Sequence, residues 1–470
     1  CIRDRFQRGE TVGIFQYESP GMQKHLKDLK PTVFDDLIAM NALYRPGPME
    51  YIPSFIKRKH GDEKIVYDLP EMEEFLKDTY GITVYQEQVM LLSQKIGDFS
   101  KGEADILRKA MGKKQKDVLD KMKPKFLENS EKKGFKTEKV EKIWKDWEAF
   151  ASYAFNKSHS ATYALISVQT AWLKTFYPAH FLAANLSAEM QNTDRILTLV
   201  SEARELEIKV LMPSINESDF HFTVDDGDIR YGLGAIKGLG EAAIEMIVEA
   251  RRQSSFESLG EFCRRVEAKK LGRRALEALI NSGSMDSFGL ESGATNEIRS
   301  ELHRELEAAI KSAEQIDRDA KAGMVDLFGG IESGTDLYTG SPTQALSVLE
   351  TLEKEKESLG LFLSGHPMDV YSEEIYSLCP RPLDSMESGK KRQWIAGVAS
   401  NIRFMQSKQG KPICFFTLSD SRAFMEVSVP PERYEKCAST IRGGDILLVE
   451  SEIQPDRFTN GLVARVHNVI

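Results

Sequence analysis

The sequence predicts a multidomain, mainly α-helical protein that ends in a small β-barrel of the OB type. Three observations carry this. Residues 1 to about 215 show helical periodicity, the middle of the chain holds compact glycine-punctuated helical units, and the last stretch alternates in short runs. With 470 residues, 41% hydrophobic and 29% charged, the chain is long enough for roughly three domains.

The elements follow in order. Phe34–Met40 has helical spacing and stops at Arg45-Pro46-Gly47-Pro48, where two prolines forbid continuation. Val84–Ile96 and Asp117–Glu128 repeat apolar positions near the helical period. Ser158–Phe176 is mostly apolar, so a buried helix is expected, its polar first turn reaching a working surface; Tyr177-Pro178 ends it. After residue 207 the texture changes. Phe220–Val224 and Ile229–Tyr231 flank Asp225-Asp226-Gly227-Asp228, the signature of a β-hairpin. Leu233–Arg252 and Leu271–Ser282 predict two helix-turn-helix units. Residues 291–325 are charged and helical, and 329–342, rich in Gly, Ser and Thr, form a loop. The runs Trp394–Val398, Ile413–Leu418, Phe424–Val429, Ile446–Glu450 and Leu462–Val469 are then the strands of the barrel. The expected domains are 1–215, 216–330, a linker and helical connector at 331–390, and 391–470.

Composition excludes several classes. No apolar run reaches the roughly 18 to 20 residues that span a bilayer, so no membrane role is expected. The polar Cys1–Arg5 start is no signal peptide; with no initiator Met, it leads us to expect a fragment of a longer protein. Five cysteines, widely spaced and never paired as CxxC, fit a reducing cytoplasm and argue against a zinc site. The net charge is −9, yet Lys101–Val140 holds thirteen Lys/Arg against seven Asp/Glu, a local balance of +6. A basic island of this kind suits nucleic acid, whose binding depends on local field and counterion release; a solvated, salt-bridged helix face is the plain alternative.

Two basic motifs stand out. Arg108 and Lys109 close one helix, Gly112 allows a turn, and Lys113 and Lys114 follow; such cations hold phosphate oxygens. In the second motif, Asn156 or Ser158 is a natural N-cap, and Lys157 and His159 stand beside the free N–H groups of a helix start, an anion site. Plain capping by Asn156 or Ser158 and a packed histidine are the alternatives. Tyr85-Gln86-Glu87-Gln88 adds an aromatic and two amides able to stack or hydrogen-bond, although glutamine on an amphipathic helix is usually surface.

Gly13–Ser19, Ala42–Pro48, Tyr80–Met90, Arg108–Lys114 and Phe155–Ser160 together resemble the fingers of the bacterial DNA polymerase III alpha subunit, in the family's order. The similarity continues through Trp172-Leu173-Lys174, Tyr177-Pro178-Ala179, the hairpin units and the barrel, nearly the whole chain. It implies an incoming-nucleotide site. Arg108, Lys109, Lys113, Lys114 and Lys157 would neutralise triphosphate or template charge, Asn156, Ser158 and His159 would line the sugar and phosphate side, and Arg45 joins that surface.

The resemblance places the Mg²⁺-binding aspartates in a palm that precedes Gly13, so none is expected here. Asp226-Gly227-Asp228 in a hairpin turn and Asp317-Arg318-Asp319 in an acidic helix are rejected as substitutes, and the chain alone is expected not to polymerise DNA. Leu233–Ala243 resembles a helix-hairpin-helix in which Gly238 and Gly240 bring backbone N–H groups to a DNA phosphate beside Lys237; Arg273 and Arg274 extend that face. A tight helix connection is the alternative. Met324-Val325-Asp326-Leu327-Phe328 resembles a sliding-clamp docking motif, with Met324, Asp326, Leu327 and Phe328 as contacts and Met324 standing where a glutamine is usual. Phe404, Phe415 and Phe416, with Arg403, Lys408 and Lys411, would track single-stranded template, with at least one of Phe415 and Phe416 in the core.

The implied function is template-directed addition of deoxynucleoside triphosphates to a primer in chromosomal replication, in the cytoplasm. Primer-template DNA, dNTP, the sliding clamp, the clamp loader and a 3′–5′ exonuclease proofreading subunit are the implied partners. The rivals are a stand-alone DNA-binding and clamp-tethering protein, separated by the upstream reading frame, and an error-prone paralogue, against which the clamp motif counts.

Overall fold

Helical periodicity in the first third of the chain becomes a run of helices. They are α1 (Ile2–Arg8), α2 (Pro20–Leu29), α3 (Phe34–Leu43), α4 (Ile52–His60), α5 (Glu73–Leu76), α6 (Gln86–Gly97), α7 (Lys101–Gly112), α8 (Lys116–Lys132), α9 (Thr137–Phe150) and α10 (Lys157–Phe176). The structure is a computed structural model describing residues 1–113, 115–150, 154–289, 294–321, 345–406, 410–456 and 461–470. By packing, the chain divides between Phe176 and Tyr177 into two units.

The first unit has two cores. One gathers Phe6, Tyr17, Leu37, Met40 and Phe55 with Val84 and Tyr85. The other gathers Leu92, Ile96, Leu107, Phe126, Trp144 and Trp147 from α6 to α9. The chain crosses between the two cores more than once, and one crossing, from Tyr85 to Val89, puts the start of α6 at the seam.

Helix α10 is not buried as its composition suggested. Its packed face is the small-residue stripe Ser160, Ala164, Ser167 and Ala171, continued by a fully buried Lys174. Small side chains let the helix approach closely enough for side-chain-to-backbone bonds: Ser160 Oγ donates to Ile38 O (2.6 Å), Ser167 Oγ to Phe15 O (2.7 Å) and Lys174 Nζ to Val12 O (2.8 Å). The large residues Leu165, Ile166, Leu173 and Phe176 face outward.

In the second unit α11 (Pro178–Ala188) and α12 (Thr193–Glu205) lead into β1 (Val210–Leu211), β2 (Thr223–Asp225) and β3 (Asp228–Arg230), ordered β1-β3-β2. The hairpin lies where Asp-Gly predicted it, with Asp226 (φ 47°) and Gly227 (φ 89°) both left-handed, as a two-residue turn requires. Because α11 packs on β2 and β3, the expected boundary near residue 215 falls inside this unit.

Leu233–Ala235 is a single 3-10 turn and not the first helix of a helix-turn-helix. Close packing explains it: a Cβ at Gly232 would lie 2.7 Å from His221 C, and one at Gly234 2.8 Å from Phe220 O. Next come α13 (Glu241–Arg251), α14 (Leu259–Arg265), α15 (Ala268–Leu271), α16 (Arg273–Asn281), α17 (Thr295–Lys321) and α18 (Val348–Leu359). Buried Arg299 of α17 ties this region together by pairing with Asp286 (2.8 Å) and Glu355 of α18 (2.8 Å).

After α19 (Pro367–Val370) and α20 (Ser372–Leu378) the chain forms a closed barrel. Its strands β4 (Arg392–Gln406), β5 (Pro412–Ser419), β6 (Phe424–Val429), β7 (Ile446–Pro455) and β8 (Leu462–Val469) run in the order β4-β5-β6-β8-β7. Within the barrel β6 pairs with β8 in parallel and the other strand pairs are antiparallel. The short α21 (Pro431–Cys437), not anticipated from sequence, joins β6 to β7. Ile395, Phe416, Val427, Val449 and Val466 fill the interior.

Candidate nucleic-acid interface

The two basic motifs meet in the first unit, and the segment Tyr85–Gln88 joins them. Gln86 N donates to Phe155 O (2.9 Å) and Phe155 N to Val84 O (3.4 Å), a one-residue parallel bridge between Tyr85 and Phe155. On the other side Gln86 Oε1 faces Arg108 Nη1 at 3.5 Å. Gln88 is no surface amide. It is buried, its Oε1 accepting from Val84 N (2.8 Å) and Tyr85 N (2.9 Å) while its Nε2 donates to Thr79 Oγ1 (2.8 Å).

Asn156 caps α10: its Oδ1 accepts from His159 N (2.8 Å) and from Ser158 Oγ (2.6 Å). Sequence reasoning missed Glu87. Its carboxylate accepts from Asn156 Nδ2 (2.8 Å) and Lys157 N (2.9 Å), so a resident anion already stands at the α10 N-terminus. Lys157 Nζ lies 5.4 Å from the Tyr85 ring centroid and 3.3 Å from Asp35 Oδ1. The Tyr85 ring is buried, and burial pushes its phenol upward. Exposed His159 stacks at 4.3 Å on Tyr163 and edge-on at 5.3 Å against Phe155. Arg45 closes the group, its guanidinium 4.1 Å from the Phe155 centroid and its Nε donating to Ala42 O (2.8 Å).

Asp105 is the second missed acid. It pairs with Arg108 (2.8 Å) and Lys109 (2.7 Å), and hydrogen bonds from Lys109 and then Arg108 hold its carboxyl below the ordinary range. Gly112 is the last residue of α7, so the chain turns at exposed Lys113 and not at the glycine. Lys114 lies outside the described residues, as do Met324, Asp326, Leu327, Phe328 and Lys408. The signal available for Asp105 was helical spacing: it sits three and four residues before the basic pair. Glu87 is 70 residues from Lys157 and had no such signal.

The second unit carries a different surface. Lys237, Gly238 and Gly240 are exposed, with Gly238 at φ +87° and open space around Gly240. A Cβ on Gly238 would stand 4.0 Å from that of Ala278 on α16, one helical turn beyond exposed Arg274. Arg273 is exposed and held by Glu277 at 2.8 Å. The hairpin turn and the α16 start therefore share one face.

On the barrel Phe416 is core, whereas Phe404 is exposed beside Tyr434 (5.4 Å) and half-exposed Phe415 has Arg403 over its ring at 5.8 Å. Asp226 and Asp228 lie at the hairpin turn, Asp228 Oδ1 accepting from Lys209 N (2.8 Å). Among the described residues no three His, Cys, Asp or Glu converge where a metal ion could sit, and no helix is long and apolar enough to cross a membrane.

Comparison with known proteins agrees with this division. Residues 2–134 match the model of the bacterial DNA polymerase III alpha subunit finger domain, 207–294 a helix-hairpin-helix motif, and 393–467 an OB-fold nucleic acid binding domain. The DNA polymerase III subunit alpha of Pseudomonas aeruginosa is 41% identical across 99% of this chain and 41% of its own length. That of Neisseria meningitidis serogroup B is 42% identical across 97% and 39%, and that of Bacillus subtilis 38% across 96% and 40%. The chain thus spans about two-fifths of the length of these relatives. Fingers, hairpin motif and barrel occur in one order along a chain aligned almost end to end with these relatives, and the chain belongs to the bacterial DNA polymerase III alpha-subunit family.

Proposed function

We propose that this chain is the nucleotide- and DNA-gripping part of a DNA-directed DNA polymerase that extends primers with deoxynucleoside triphosphates during chromosomal replication in the bacterial cytoplasm. One observation carries the reading: the end of α7 and the start of α10, far apart in sequence, converge through Gln86 and Glu87 into a single cationic and aromatic surface. Arg108, Lys109, Lys113, Lys114 and Lys157 neutralise phosphate charge there. Asn156, Ser158 and His159 line the sugar side, and Arg45 and Phe155 form a flat wall beside them.

The hairpin face of Lys237, Gly238, Gly240, Arg273 and Arg274 holds duplex phosphates without reading sequence, and the barrel tracks single strand. Met324, Asp326, Leu327 and Phe328 dock the sliding clamp, and the clamp loader and a proofreading exonuclease complete the assembly. Mg²⁺ supplies charge neutralisation and an activated primer hydroxyl when bound. It belongs to palm aspartates and not to residues of this chain, so the isolated chain is inactive in primer extension.

The test is charge reversal of Arg108→Glu with Lys157→Glu in a full-length alpha subunit, followed by primer-extension kinetics. A raised KM for nucleotide or lost turnover is expected; unchanged kinetics would remove the site assignment. Leu327→Ala with Phe328→Ala is expected to abolish clamp affinity and spare short-primer extension.

A further inference from the structure

The second unit encloses a cavity of about 200 Å³ with no part in the surfaces above. Arg204 of α12, Lys356 of α18, Phe362 of the following loop, Ser421 and Phe424 of the barrel line it. Among the described residues neither cation forms an ion pair. Lys356 Nζ lies 4.8 Å from the Phe362 ring centroid and has no ion pair or hydrogen-bond acceptor among the described residues. Arg204 makes one long bond, Nη1 to Ser421 O at 3.4 Å.

The acids of the cavity are committed elsewhere. Asp420 accepts from Leu383 N (2.8 Å), Arg422 N (2.8 Å) and Ala423 N (2.6 Å), and Asp369 accepts from His366 N (3.1 Å). Burial lowers the Lys356 ammonium below its ordinary range; Glu353 opposes this and nearby Lys237 adds to it. A half-buried cation without a partner is costly, and a bound anion relieves it.

We propose that this cavity binds one nucleotide, its phosphate between Lys356 and Arg204 and its ring against Phe362 and Phe424. The mixture of unpaired cations and aromatic walls selects an anion carrying a flat ring over a bare anion or an apolar ring alone. The same chemistry is offered by a free nucleotide and by one unit of a single strand. The proposal does not rest on the polymerase reading.

The full chain is titrated calorimetrically with inorganic phosphate, with dAMP and with a thymidine octanucleotide. Binding of dAMP, weaker binding of phosphate, about a tenfold loss on Lys356→Met and recovery on Lys356→Arg are expected. If only the octanucleotide binds, with the same loss on Lys356→Met, the proposal holds and the occupant is a strand. Thermal melting checks that Lys356→Met folds; should it not, Arg204→Gln replaces it with the same expected loss. Absence of dAMP and octanucleotide binding at millimolar concentration, or binding indifferent to both variants, overturns the proposal.

Discussion

Glu87→Gln tests how the start of α10 is held. The carboxylate accepts one hydrogen bond on each oxygen, from Asn156 Nδ2 and from Lys157 N. An amide has a single acceptor, so in either orientation its NH₂ group faces a donor. The loss is one charge-assisted bond, about 1.5–3 kcal/mol, together with the favourable charge at a helix start, about 0.3–1 kcal/mol. Because Glu87 is partly exposed, a net cost of about 2 kcal/mol is the appropriate expectation. That corresponds to about a 30-fold rise in local opening. Hydrogen exchange reads this directly: the amides of Lys157, His159 and Ser160, bonded to Glu87 Oε2, Asn156 Oδ1 and Asn156 O, should lose protection by that factor. Exchange in the barrel strands should not change. If Glu87→Gln leaves these amides as protected as before while Asn156→Ala exposes them, the carboxylate does not hold the helix start.

Other outcomes follow from the same geometry. Arg299→Met leaves Glu355, fully buried, without its cation, and should cost about 3–5 kcal/mol by thermal melting; the low end is expected because Leu363 N, Ser364 N and Ser364 Oγ still donate to Glu355. Gly238→Ala, at φ +87°, should cost about 1–2 kcal/mol and weaken duplex binding, whereas Gly240→Ala, at φ −86° in open space, should stay within about 0.5 kcal/mol in the same melting assay. Glu103 is held at about 2 by a hydrogen bond from Lys125 and then by the backbone and hydroxyl of Ser100. Its folded value lies below the ordinary one of 4.5, so its contribution is present above that pH and is lost as pH falls through about 2. The Ser100 amide resonance should track this loss, and Glu103→Gln should abolish the pH dependence.

The parts of this chain that were legible are those whose signal is local. The Asp226-Gly227 turn, the end of α3 before Arg45-Pro46, and the alternation of β6 and β8 are each specified by residues within the element. Longer-range features were not. β1 has two residues and exists only because β3 lies beside it. The Leu233 turn is set by contact with Phe220 and His221. For α10, apolar content suggested burial, but the spacing of its serines and alanines decided which face packs, and the large residues were left outside. The site divided in the same way. Cations and caps could be named from type and spacing, whereas Glu87 and Gln88, which arrange them, act through partners elsewhere in the chain.

Asp105 has a consequence for selectivity. It occupies Arg108 and Lys109 together, and so gives both cations a tethered monoanion in the absence of any other. A ligand arriving there enters an exchange reaction and not an empty site. Exchange against a covalently attached carboxylate favours ligands that deliver several charges at once, since a single free charge gains nothing over the one already present. On the proposed phosphate-binding role of Arg108 and Lys109, triphosphate is therefore expected to rank above diphosphate and monophosphate, through an acid that never needs to touch the ligand.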